Sequence, residues 1–124
     1  MRIGLLEDEI AIQEMLRLIL QGEGNVITIY PSAEACIQAL AKAEEKAEPP
    51  PVNLLIVDWR LPGLLSGIEV IRQIRDYPGL RSLPIILTTA ATFNDTETLQ
   101  QLHVSLLEKP FDIDELVDLI EHPV

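Results

Sequence analysis

A chain of 124 residues, 48% hydrophobic but only 4% aromatic, is long enough for one aliphatic core and too short for two. Twenty acidic against nine basic residues give a formal charge of −11, which excludes a surface built to release counterions from nucleic-acid phosphates and points to protein partners. Apolar runs such as Ile3 to Leu6 and Leu54 to Val57 fall far short of the roughly 20 residues of a membrane span. The N-terminus lacks a signal-peptide pattern, and the lone Cys36 excludes an internal disulfide or a thiol cluster for zinc. Neither export nor a membrane anchor is expected, and the cytoplasm is the expected compartment.

In chain order, the first strand is expected at Ile3 to Leu6, followed directly by Glu7 and Asp8. Ile12, Met15, Leu16, Ile19 and Leu20 recur at helical spacing up to the Gly22 to Asn25 turn. Val26 to Tyr30 is the second strand. Ser32 stands where it can cap a helix through Leu40, with an Ala/Glu/Lys-rich tail, Ala41 to Glu48, stopped by Pro49, Pro50 and Pro51. Cys36 shares that helix's apolar stripe with Ala33, Ile37 and Leu40, so it reads as a small core residue rather than a reactive thiol. Leu54 to Val57 is the third strand and ends at Asp58. After Gly67, Ile68, Val70, Ile71 and Ile74 mark a third helix, and Pro84 to Thr88 is the fourth strand. The pattern is weakest in Asn94 to Leu102, where a fourth helix is expected. Val104 to Leu107 is the fifth strand, and Asp112 with Glu115 reads as a capping box opening a last helix that buries Leu116, Leu119 and Ile120.

Five strands alternating with five helices imply an α/β domain over residues 1–124 with a parallel sheet, because parallel neighbours need right-handed helical crossovers. In such sheets the functional groups gather at the carboxyl ends of the strands. Those positions hold Glu7 and Asp8, Asp58, Thr88 and Thr89, and Lys109 before Pro110. Three carboxylates on one edge repel one another unless a cation intervenes. Magnesium takes oxygen ligands and keeps several waters, which suits Glu7, Asp8 and Asp58, while a lysine and a threonine hydroxyl would help neutralise a phosphoryl group.

Plainer readings exist for each residue alone. Glu7 and Asp8 can cap the first helix, Lys109 can be a solvated charge, and Thr88 or Thr89 an ordinary strand-end residue. Asp58, directly after four aliphatic residues, leans functional even by itself, since an unpaired carboxylate is costly there. Trp59 is expected to point away from Asp58 and pack under the loop. His103 and His122 have no ligand partners at metal spacing and read as structural or exposed.

Taken together, Glu7-Asp8, Asp58 closing an aliphatic strand, Thr89-Ala90 and Lys109-Pro110-Phe111 resemble the receiver domains of two-component response regulators, over essentially the whole chain. The stretch from Asp58 through Trp59, Arg60, Leu61, Pro62 and Gly63 to Ser66-Gly67 is similar as well. The resemblance implies a flavodoxin-like doubly wound sheet of order 2-1-3-4-5 with five flanking helices. It further implies that Asp58 is the phosphoacceptor, that Asp8 and Asp58 ligate magnesium directly and Glu7 through water, and that the Arg60 backbone carbonyl adds a ligand. Thr89 and Lys109 would then engage the arriving phosphoryl group, with a cis bond between Lys109 and Pro110. The implied partners are a histidine kinase or phosphotransfer protein and an unidentified output domain or protein. A homodimer through the face of the fourth and fifth helices is left open. No turnover beyond phosphorylation and self-dephosphorylation at Asp58 is expected.

The chain departs from that family in particular places. Leu106 stands where an aromatic switch residue is usual, and Leu102-His103 replaces the small pair leading into the fifth strand. The connection from Thr89 to Lys109 is short, the loop after Pro62 is longer than common, and the second helix is extended. These features leave room for a pseudo-receiver that binds partners without being phosphorylated. A haloacid-dehalogenase-like phosphatase is disfavoured, because Arg60 stands where its second acid belongs. No glycine-rich nucleotide loop follows the first strand. The residues flanking the pocket, Arg60 and Ala91, offer no base to a hydrolytic water, so slow loss of the phosphoryl group is expected.

Overall fold

The aliphatic run from Leu54 to Val57 forms the middle strand of a parallel sheet and is buried along its whole length, as a strand covered on both faces must be. The computed structural model describes residues 1–63, 65–90 and 94–122. Within them lie β1 (Arg2–Leu6), α1 (Ile10–Gly22), β2 (Val26–Ile29), α2 (Ala33–Glu45), β3 (Leu54–Asp58), α3 (Gly67–Arg75), β4 (Ile85–Thr89), α4 (Thr96–Leu102), β5 (Val104–Glu108) and α5 (Ile113–Glu121), with a 3₁₀ turn at Pro78–Leu80. The strands are ordered β2-β1-β3-β4-β5 and all pair in parallel. This is the flavodoxin-like doubly wound arrangement expected from the sequence.

Alternation along β3 divides the core in two. Leu55 and Val57 pack with Cys36 and Leu40 of α2 and Val70, Ile71 and Ile74 of α3. Leu54 and Ile56 pack on the other face with Leu16 and Leu20 of α1 and Leu116 and Ile120 of α5. Cys36 is fully buried, and burial pushes its thiol up to about 12, in keeping with a core role.

The termini of the elements follow local chemistry. Ser32 caps α2 as expected, its hydroxyl accepting the Ala35 N–H at 3.1 Å. The helix closes at Glu45 rather than continuing to Glu48, where Ala47 turns to φ 53° ahead of the prolines. The capping box expected at Asp112 and Glu115 does not form, since Asp112 makes no side-chain cap. The first turn of α5 is exposed and carries Asp114 and Glu115, so water can satisfy its N–H groups while like charge keeps the carboxylates outward. The complete box is at Ser66 and Glu69 instead, opening α3 with bonds of 3.3 and 3.1 Å.

Helix α4 is short, and its weak sequence pattern reflects its single buried residue, Leu99. Asp95 caps it, accepting both the Thr98 N–H at 3.1 Å and the Thr98 hydroxyl at 2.6 Å. Its other end turns through His103 at φ 55° and is held by Arg75, which donates to the carbonyls of Leu102 at 2.8 Å and His103 at 3.1 Å and also to Leu80 at 2.6 Å. A cation at the carbonyl end of a helix is favourable, although burial lowers the guanidinium pKa. His103 is thus a turn residue and exposed, as is His122 after α5.

Gly67 ties this framework to the end of β3. A Cβ there would fall on the Asp58 carbonyl oxygen and lie 2.9 Å from Trp59 Cα, while the Gly67 N–H already donates to the Trp59 carbonyl at 2.9 Å. Gly67→Ala is therefore expected to destabilise the fold by about 1–3 kcal/mol, through displacement of backbone rather than of a flexible side chain. Urea unfolding of the variant beside wild type checks this, and an unchanged midpoint would contradict the packing described.

Candidate functional site

The parallel register brings the polar strand ends to one edge. Asp58 is in register with Thr88 across β3 and β4, and Thr89 with Glu108 across β4 and β5. Glu7 and Asp8 leave β1 beside them. One carboxylate oxygen from each of Glu7, Asp8 and Asp58 lies within 4.8 Å of the other two. Glu7 and Asp58 are buried and Asp8 is exposed, so the cluster is open to solvent on the Asp8 side.

Lys109 reaches into the cluster from the end of β5. Its Nζ is 3.0 Å from Glu7 Oε2 and 3.6 Å from Asp58 Oδ2. Its backbone N–H donates to the Thr89 carbonyl at 2.7 Å, and the peptide that follows, to Pro110, is cis as the resemblance implied. Burial raises the pKa of Glu7, opposed by the Lys109 hydrogen bond and the Glu9 N–H. Burial pulls the Lys109 ammonium the other way, but the hydrogen bond and charge of Glu7, with Asp58 behind it, leave its pKa raised.

Glu7 is engaged on every side. Its Oε1 accepts the Glu9 N–H at 3.2 Å, its Oε2 accepts from Lys109, and its backbone carbonyl accepts from the Gln13 side-chain amide. Neither Glu7 nor Asp8 caps α1: the N-cap is Glu9, which makes no side-chain cap, and Glu7 instead braces the turn that leads into the helix. The sequence reading passed over Gln13. Its only signal is a polar side chain beside Ile12 near the start of an otherwise apolar stripe.

Thr88 and Thr89 are both buried at the end of β4, with the Thr88 hydroxyl 3.5 Å from the Val57 carbonyl. Trp59 is half-buried against the α2 and α3 side of the core, as expected, and the exposed Arg60 sets its guanidinium 5.6 Å from the Trp59 ring centroid. Ala91 lies outside the described residues. His103 and His122 take no part in the cluster.

Three carboxylates and one ammonium carry two net negative charges when all are ionised, and the donor set is oxygen only. That combination fits a hard divalent cation with open positions for water and phosphoryl oxygens. Beside it, an apolar groove of about 480 Å³ runs between Ile12 and Met15 of α1 and Lys109, Pro110 and Phe111. No helix among the described residues is long and apolar enough to cross a membrane.

Comparison with known proteins agrees with this arrangement. The phosphate regulon transcriptional regulatory protein PhoB of Rhizobium meliloti is 37% identical over 94% of this chain, and the DNA-binding transcriptional regulator NtrC of Escherichia coli is 32% identical over 98%. The chain spans 48% of the PhoB sequence and 24% of NtrC. Among solved structures, the receiver domain of the sensor histidine kinase PA1611 from Pseudomonas aeruginosa, with magnesium coordinated in its active-site cleft, is 31% identical with a TM-score of 0.75, covering 97% of this chain and 93% of that one. TrrA from Thermotoga maritima, in complex with Mg²⁺-BeF, is 28% identical with a TM-score of 0.78, covering 97% and 96%. Residues 3–121 match the family described as the response regulator receiver domain, and the chain belongs to that family.

Proposed function

We propose that residues 1–124 act as a phosphoacceptor receiver domain in which Asp58 takes a phosphoryl group from a phosphohistidine on a kinase or phosphotransfer protein, with Mg²⁺ as cofactor, and thereby switches partner binding. The observation that carries this reading is the meeting of the Asp58, Glu7 and Asp8 carboxylates within 4.8 Å, with Lys109 Nζ 3.6 Å from Asp58. A carboxylate oxygen of Asp58 forms the new P–O bond as the P–N bond of the donor breaks, and the electron pair leaves on the imidazole nitrogen. Asp8 and Asp58 would hold the cation directly, with the Arg60 backbone carbonyl as a further oxygen donor. Glu7, with both oxygens already accepting hydrogen bonds, acts through water. Magnesium, when bound, supplies charge to the phosphoryl oxygens at a site that can spare no more protein cations. Lys109 shifts from Glu7 toward the new phosphoryl group, and Thr89 donates its hydroxyl to it.

The output differs from the family's usual one. Leu106 is half-buried against the α2 and α3 side of the core, with no ring to swing and no hydroxyl to exchange. Its movement toward Thr89 frees less surface than an aromatic residue would.

The primary test is mass spectrometry after incubation with acetyl phosphate and magnesium. Wild type is expected to gain one phosphoryl group, and Asp58→Asn and Asp8→Ala none. An unmodified wild type would establish the pseudo-receiver instead, and labelling of Asp8→Ala at the wild-type rate would remove Asp8 from the metal site.

Because the cation relieves repulsion among the carboxylates and binds only the folded chain, magnesium at about ten to a hundred times its Kd should add roughly 1–3 kcal/mol of stability. Thermal melting across a magnesium titration measures this, and an indifferent Tm counts against the metal assignment.

Once formed, the phosphorylated protein is expected to decay slowly. Arg60 has only donors and Ala91 no polar side-chain atom, so neither orients or deprotonates a water in line with the Asp58 bond. Arg60→Asn and Ala91→Glu should each quicken the loss, followed by decay of the labelled protein in magnesium buffer. Wild-type loss within seconds would overturn this account.

A further inference from the structure

The turn that carries the acid pair is held in an unusual way. The N-cap of α1, Glu9, offers its helix no side-chain acceptor, so the usual fastening of the first turn is missing. The work passes to two other groups. Glu7 Oε1 accepts the Glu9 N–H at 3.2 Å, and Gln13, the fourth residue of α1, sends its side-chain amide back over the first turn to the Glu7 carbonyl. Meanwhile the Gln13 backbone N–H makes the first helical bond, to the Glu9 carbonyl at 2.9 Å. One half-buried residue therefore grips both ends of the Glu7-to-Glu9 turn.

The consequence falls on Asp8. The Glu7 carbonyl and the Asp8 N–H and Cα belong to one planar peptide unit, so a bond that fixes the carbonyl direction also fixes the Asp8 Cα from which its side chain departs, and the bond that holds the Glu9 N–H limits the rotation that remains. Asp8 needs this help, because it is exposed and its carboxylate forms no ion pair or hydrogen bond among the described residues. Glu7 and Asp58, by contrast, are steered by Lys109.

We propose that Gln13 is a positioning residue for the cation site: by clamping the Glu7–Asp8 peptide it holds the Asp8 carboxylate where it meets Asp58. The inference rests on the magnesium reading above. Gln13→Met keeps the length and much of the packing of the side chain and removes the amide, whose N–H makes the bond to the Glu7 carbonyl. Gln21→Met, at an exposed position near the other end of the same helix, is the control.

Magnesium titrations followed by the fluorescence of Trp59, the only tryptophan and the neighbour of Asp58, give the half-saturation point, and rates with acetyl phosphate at saturating magnesium give the chemical step. Loss of one hydrogen bond that orients a ligand is expected to raise half-saturation about three- to tenfold in Gln13→Met. The saturated rate should stay at the wild-type value, and Gln21→Met should match wild type throughout. If half-saturation is unchanged in Gln13→Met while wild type responds to magnesium, the positioning role is overturned and the magnesium reading stands. A fall in stability and saturated rate without a shift in half-saturation makes Gln13 a helix fastener only, which also overturns it. A wild type silent to magnesium in both fluorescence and melting removes the two readings together.

Discussion

Everything at the functional edge depends on crowding of like charge. Carboxylate oxygens of Glu7, Asp8 and Asp58 lie within 4.8 Å of one another at the end of a buried strand, where solvent screens them poorly. Lys109 offsets part of that repulsion from one side, closer to Glu7 than to Asp58. The remaining negative charge lies on the side of the exposed Asp8, an asymmetry that suits a hard cation approaching from solvent.

The framework exists to keep that crowding in place. Asp58 can be neither withdrawn nor advanced, because β3 is packed on both faces and the start of α3 at Gly67 rests against the Asp58 and Trp59 backbone. The Lys109 backbone is tied by its N–H bond to the Thr89 carbonyl, so its ammonium projects from the end of the paired β4 and β5. Asp8 is the exception, its exposed carboxylate forming no ion pair or hydrogen bond among the described residues while the carbonyl of the preceding peptide is held by Gln13.

On the side away from the acid pair, one arginine ties two helices together. Arg75 collects the carbonyls of Leu80, Leu102 and His103, so the carbonyl end of α4 is anchored to α3 while Leu106 lies half-buried nearby in sequence. A small aliphatic side chain next to an anchored helix end favours small displacements over a ring flip, because less buried surface changes hands.

Much of this was written in the local pattern. The five aliphatic runs and the polar residue ending each central strand are local features, and Ser32 forms its cap because the N–H that its hydroxyl accepts lies only three residues away. The strands' identity was therefore legible in the sequence, as was the meeting of Glu7, Asp8 and Asp58 at one sheet edge with Lys109 beside them. Short-range patterns misled where spacing alone does not decide. Asp112 and Glu115 have the right spacing for a capping box but form none in an acidic first turn where Asp114 adds like charge, whereas Ser66 and Glu69 form the box beside the buried Gly67. The sequence by itself determined the alternation of strands and helices and the chemistry of the strand ends, because both depend on residue type and near-neighbour spacing. Only the tertiary structure decided that Lys109 favours Glu7 over Asp58, that Gln13 grips the Glu7 carbonyl and that Arg75 closes α4. Those choices depend on distances of a few ångströms between groups that are remote along the chain or set by a turn's exact course, and no one-dimensional spacing encodes them.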